Sequence, residues 1–250
     1  IINHIMRQTI DIYWSLFNQK NRIDIAPFLE KAIWNQVVNE AHNTGIRRIY
    51  FRNYANLALT PSALSNVQSV WNESLKIKNL NLSTRDYTNI AASLAIKIPN
   101  SADQIIETQL LKIKGPDNKA RFQFIIPALS SDQYIRDNFF STLMKAENRH
   151  TEPWVLSALR YLHHPLRIDF SEGYLKRSLN VLEDIQITGD IFFPGRWLNA
   201  TFKYYQSDVA IATVNNFLTK NPDYNYQLKL KILQNSDQMK RANKILKNTT

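Results

Sequence analysis

Glycine is almost missing from this chain: five residues in 250. Hairpin turns and strand bulges draw on glycine for left-handed backbone, so the shortage argues against a β-sandwich or barrel. No G-x-G-x-x-G or G-x-x-x-x-G-K loop is present to cradle a phosphate. Helix signals punctuate the chain instead: a polar cap, an apolar run at helical spacing, then a stop. Thr60-Pro61 reads as an N-cap followed by a first-turn proline, and Ser83–Asp86 as a capping arrangement. Ser101–Gln104 and Ser130–Gln133 read as capping boxes. Asp24 with Pro27 reads as another capped start, and Asn43-Thr44-Gly45 as that helix's end, with Gly45 in the left-handed C′ position. Gly115-Pro116-Asp117 marks a turn, and Pro127 should end or kink the helix before it. Tyr174, Leu175, Leu179, Leu182 and Ile185 share the face of one amphipathic run.

This pattern predicts about twelve helices joined by loops of about 2–6 residues, with no strand. Short loops force successive helices to lie antiparallel, and twelve are too many for one simple bundle. The expected fold is therefore all-α: a right-handed α-solenoid of antiparallel, HEAT-like helix pairs with degenerate repeats, forming one domain over residues 1–250. Its weakest seam is the polar stretch Lys76–Ser83.

Little in the sequence points to chemistry. The absence of cysteine removes disulfides, thiolate catalysis and cysteine-based metal sites, and fits cytoplasm and periplasm alike. His163 and His164 are adjacent, about 100° apart on a helix, and cannot face one ion as an i, i+4 pair would. They precede Pro165 and read as a helix terminus, where an imidazole can bond free carbonyls. No H-E-x-x-H and no G-x-S-x-G elbow occurs, and the adjacent Glu183-Asp184 reads as solvent-facing. These residues assemble no catalytic or metal site. No apolar run approaches the roughly 18 residues that would span a bilayer. The first helix, which includes Tyr13, Trp14 and Phe17, opens without an initiating methionine, so a segment of a longer protein is expected. The net charge of +10 raises anionic partners. Its local clusters are Arg47, Arg48 and Arg52, and a tail running from Lys229 to Lys247 that reads as a solvated helix face.

Specific similarity lies in the second half. Glu152-Pro153-Trp154-Val155-Leu156 through Tyr161-Leu162-His163-His164-Pro165-Leu166-Arg167, then Gly189-Asp190-Ile191-Phe192-Phe193-Pro194 with Arg196-Trp197-Leu198, resemble the C-terminal helical domain of bacterial zinc aminopeptidases of the aminopeptidase N family. Phe124–Ser130 with Arg136-Asp137, and Leu228–Gln234, extend the likeness over about the last 130 residues. The first half agrees in helical pattern only. The resemblance implies a non-catalytic cap over the active-site chamber of an upstream catalytic domain. Zinc, its ligands and the G-x-M-E-N motif would lie in that domain, so this segment would hold no cofactor and be inactive alone. Expected partners are that domain and peptide substrates. Arg160, Arg167 and Arg196, within the similar stretch, are candidates for facing a peptide cleft, against the alternative that each pairs with a local carboxylate or helix end. The competing expectation is an independent α-solenoid binding protein or, less in keeping with its scattered charge, nucleic acid.

Overall fold

The computed structural model describes residues 1–249, and among these every regular element is helical. The all-α expectation holds, with fifteen α-helices rather than about twelve among the described residues. Contacts divide the chain into two compact units, residues 1–122 and 123–250, where the sequence suggests one domain and a seam at Lys76–Ser83. The division falls inside a helix.

The first unit is built from α1 (Ile2–Ser15), α2 (Gln19–Val38), α3 (Thr44–Leu57), α4 (Pro61–Trp71), α5 (Thr84–Lys97), α6 (Ala102–Lys112) and the start of α7 (Pro116–Leu129). Each helix packs on its neighbours in sequence or next but one: α1 and α2 on α3, α3 on α4 and α5, and α4 and α6 on α5. The Thr60 hydroxyl caps α4, and a reciprocal box between Ser83 and Asp86 starts α5, as the sequence indicates. Other starts differ. Asn18, not Asp24, caps α2, and Pro27 sits inside the helix, where its missing N–H frees one carbonyl. Asn43 caps α3, so Thr44 and Gly45 begin a helix rather than end one. Ser101 is the last residue of a short 3₁₀ turn and makes no side-chain cap. The Lys76–Ser83 stretch folds over Val70 and Tyr87, and Leu75, Ile77, Leu80 and Leu82 line a half-open pocket there with Glu73 and Lys76.

The second unit continues α7 and adds α8 (Gln133–Thr142), α9 (Glu152–Leu162), α10 (Ile168–Ser171), α11 (Tyr174–Asn180), α12 (Leu182–Thr188), α13 (Phe193–Phe202), α14 (Asp208–Lys220) and α15 (Tyr226–Thr249). Its packing reaches further along the chain, with α13 lying on both α9 and α15, and α11 on α14. Asp132 caps α8 in place of Ser130, whose hydroxyl accepts from the Asp132 amide. Pro127 lies two residues before α7 ends. The run from Tyr174 to Ile185 is broken at Val181 into α11 and α12. Trp197, Phe193, Leu198 and Phe202 are fully buried along α13 and anchor this core.

One device recurs. Every buried arginine among the described residues holds carbonyl oxygens left free at a helix end. Arg22 donates to Phe17 at 2.6 Å after α1, and Arg47 to Asn39 at 2.7 Å after α2. Arg136 reaches Ser130 and Ser131, both at 2.8 Å, after α7, and Arg149 reaches Leu143 at 2.9 Å after α8. Lys97 does the same for α3, donating to the Ala55 and Asn56 carbonyls at 2.8 and 2.6 Å. A cation suits the negative end of a helix, and each charge stays hydrogen-bonded in the interior. Buried Glu30 is the mirror image: it accepts from the Leu59 and Thr60 amides at the positive end of α4.

Candidate binding cleft between two helices

The three arginines in the similar stretch have three different settings. Arg160 is exposed in the last turn of α9. Arg196 is exposed on α13, its guanidinium 5.5 Å from the centre of the Phe192 ring. Arg167 is buried and donates to the carbonyls of Ala128, Leu129 and Ser130 at 2.6, 2.8 and 3.1 Å. Burial, with Arg136 beside it, pushes the Arg167 guanidinium down to about 9. Arg167 thus takes the helix-end role, with both terminal nitrogens of its fork bonded to these carbonyls.

The histidine pair also resolves into packing. His163 is the C-cap of α9 and His164 the N-cap of the following 3₁₀ turn, so the terminus reading stands. His163, however, bonds no free carbonyl with its ring. It is buried, its Nδ1 shares a 2.6 Å hydrogen bond with the Tyr205 hydroxyl, and its edge meets Phe140 and Tyr174. Burial lowers its pKa to about 3, which keeps the ring neutral. Phe140 and Tyr174 stack at 4.2 Å beside it, and the Tyr174 hydroxyl donates to Asp137. Asp184 is exposed, as expected, yet it pairs with the buried Arg149. Among the described residues no group of three or more His, Asp or Glu side chains is placed to hold a metal ion, and no helix is long and apolar enough to cross a membrane.

An open site lies in the first unit instead. A half-open cleft of about 380 Å³ runs between α3 and α5. Arg52 and Asn56, one turn apart on α3, form one wall, and Arg85, Asn89 and Ser93, at successive turns of α5, form the other. Lys97 continues the α5 row and ties α5 to the end of α3. Its ammonium lies 5.8 Å from the centre of the Trp14 ring, and burial lowers its pKa to about 7, against an opposing pull from Glu30.

Most of this cleft is held rigidly. Arg52 pairs with Asp86 through two bonds of 2.5 and 3.0 Å, and Asp86 also accepts from the Ser83 amide and hydroxyl. Burial would raise the Asp86 carboxyl, but the bonds from Arg52 and Ser83 outweigh it and hold the group below its ordinary range. The Asn56 carboxamide oxygen accepts from the Trp14 indole at 2.8 Å, which points its NH₂ away. Ser93 leans on the Ala55 carbonyl at 3.4 Å, the same oxygen that accepts from Lys97 at 2.8 Å.

Of the cleft residues, only Arg52 belongs to a cluster conspicuous in the sequence. Arg85, Asn89 and Ser93 carry an i, i+4, i+8 signal that a solvated helix face carries equally, and only the placement of α3 beside them makes a cleft. Compared with known families and curated proteins, the chain matches no family model and no curated sequence.

Proposed function

We propose that this chain is a non-catalytic helical cap of an aminopeptidase-N-like zinc peptidase, covering the chamber of an upstream catalytic domain and limiting which peptides enter. The support is the run of similar residues from Phe124 to Gln234, set in an all-α chain. The observation that carries the non-catalytic part is where those residues go. His163, Arg167, Arg136 and Trp197 are all buried, His163 bonded to Tyr205 and the two arginines to helix-end carbonyls. Zinc would belong to the catalytic domain, whose water it would activate for hydrolysis. The cap would contribute shape and charge alone.

The reading is tested by preparing the upstream domain separately, adding this chain, and assaying an aminoacyl-anilide and peptides of graded length. A stable complex with altered length preference is expected. Failure to associate, together with unchanged length preference, sinks the proposal, as does an upstream reading frame lacking H-E-x-x-H.

The α3–α5 cleft favours a second reading, an independent helical-repeat module that binds protein, because it requires no other domain. No aromatic side chain lines the cleft, so it offers no stacking platform for bases, and nucleic acid is the weaker partner class.

A further inference from the structure

We propose that the α3–α5 cleft binds an extended, acidic polypeptide segment, with Asn89 and Asn56 gripping its backbone and Arg85, beside Arg52, pairing with a carboxylate side chain. This goes beyond the cap reading and holds whether the chain acts alone or on a neighbour.

Three observations converge. First, the Arg85 and Asn89 side chains are exposed and make no hydrogen bond or ion pair among the described residues, although both line a formed cleft. Arg85 lies in the first turn of α5, at the positive end of the helix dipole, and lines the same cleft as Arg52. A cation there is locally unfavourable, so helix stability does not account for it, whereas an arriving anion does.

Second, the spacing fits an extended chain. Residues one turn apart on α5 rise by about 6 Å, and alternate residues of an extended strand by roughly 6.6 Å. The α5 row can therefore run alongside an extended segment, with Asn89 at its backbone and Arg85, one turn away, at the side chain of a nearby residue. A carboxamide presents both a donor and an acceptor, as a peptide unit does. Asn89 offers both, while Asn56, with its oxygen fixed on Trp14, offers the donor.

Third, the lining selects among partners. Two guanidiniums face one carboxylate, and that carboxylate is already bonded to Arg52 and Ser83. The excess is positive, and no aromatic face among the lining residues offers bases a platform. Ordinary carboxylates on a peptide match this modest excess.

The test is fluorescence anisotropy on the purified chain with a labelled Ser-Glu-Ser-Glu-Ser-Glu peptide, its Gln counterpart, and a Glu version N-methylated at alternate amides. The Glu peptide should bind about tenfold more tightly than the Gln or N-methylated peptide, the scale of one charge-assisted contact or a few backbone bonds. Arg85→Glu should abolish the preference for Glu over Gln, and Asn89→Ala should weaken both peptides. Neither side chain has a partner among the described residues, so Asn89→Ala should melt with the parent and Arg85→Glu, which puts an acid at a helix start, no lower. Lys244→Glu, the same charge change on exposed α15, should leave binding unaltered. The proposal is overturned if Lys244→Glu weakens binding as much as Arg85→Glu, if N-methylation has no effect, if single-stranded oligodeoxythymidine binds more tightly than the peptide, or if the Glu peptide does not bind at about millimolar concentration. Because the assay involves no upstream domain, its failure leaves the cap reading standing, and failure of the cap reading leaves this binding intact.

Discussion

At the scale of single residues, the most informative side chain is His163. Its adjacency to His164 and Pro165 correctly places it at a helix end. Nothing in the sequence pairs it with Tyr205, which lies on another helix–loop segment 42 residues away. Among the described residues, the buried 2.6 Å bond between them is the one side-chain hydrogen bond that either ring makes. Removing one partner leaves the other buried and unmet. His163→Phe and Tyr205→Phe should each cost about 2 kcal/mol, and the double variant about 1 kcal/mol less than their sum. Urea denaturation of the three variants measures this. Strict additivity would mean that the pair contributes no coupling.

At the scale of helices, the capping arginines decide where several elements stop. Arg167 is the strongest case, because one guanidinium satisfies three carbonyls at the end of α7. Arg167→Met should cost about 3 kcal/mol, since those oxygens lose a charged donor in the interior. Arg167→Lys should recover less than half, because a single ammonium cannot reproduce the planar fork. Equal stability for the Met and Lys variants would refute the geometric argument. The same device explains what the sequence hides. Helix class follows from apolar spacing and scarce glycine, but the buried stripe of α2 is Arg22, Ala26, Glu30, Ile33 and Val37, two of them charged. Phe28, which apolar spacing would put inside, is 73% exposed. Charges that cap other helices are invisible to a pattern that equates buried with apolar. Hence Asp24 and Pro27 suggest a start where Asn18 provides it. Capping boxes fail for a related reason. Ser83 is extended and bonds Asp86, whereas Ser101 (φ −113°, ψ 8°) already closes a 3₁₀ turn and cannot aim at its own helix. The cleft is legible only in part: Arg52 stands in a visible basic cluster, but the α5 row needs α3 beside it before it differs from any solvated face.

For the molecule as a whole, the +10 charge is a poor guide to its surface, because five arginines lie inside as caps. The interior also determines how stability responds to acid. His163 has a folded pKa of about 3 against an ordinary 6.5, so between those values the unfolded chain binds a proton that the folded chain refuses. Stability then falls with pH, beginning near 6.5, by about 1.4 kcal/mol per unit and about 3 kcal/mol by pH 4. Asp86 adds a second loss lower down. Its folded pKa lies below the ordinary carboxylate value, so its contribution is present above that value and disappears as pH falls through the folded one. Melting temperatures at pH 7, 5.5 and 4 should therefore drop progressively, and His163→Phe should flatten the decline between about pH 6.5 and 4 while leaving the acid limb from Asp86 in place. Arg52→Met should do the converse, shrinking the acid limb because Asp86 loses the guanidinium that lowers it. If the melting temperature of the parent chain is flat from pH 7 to 4, His163 takes up its proton without cost, and a sealed, neutral ring cannot be its state in solution.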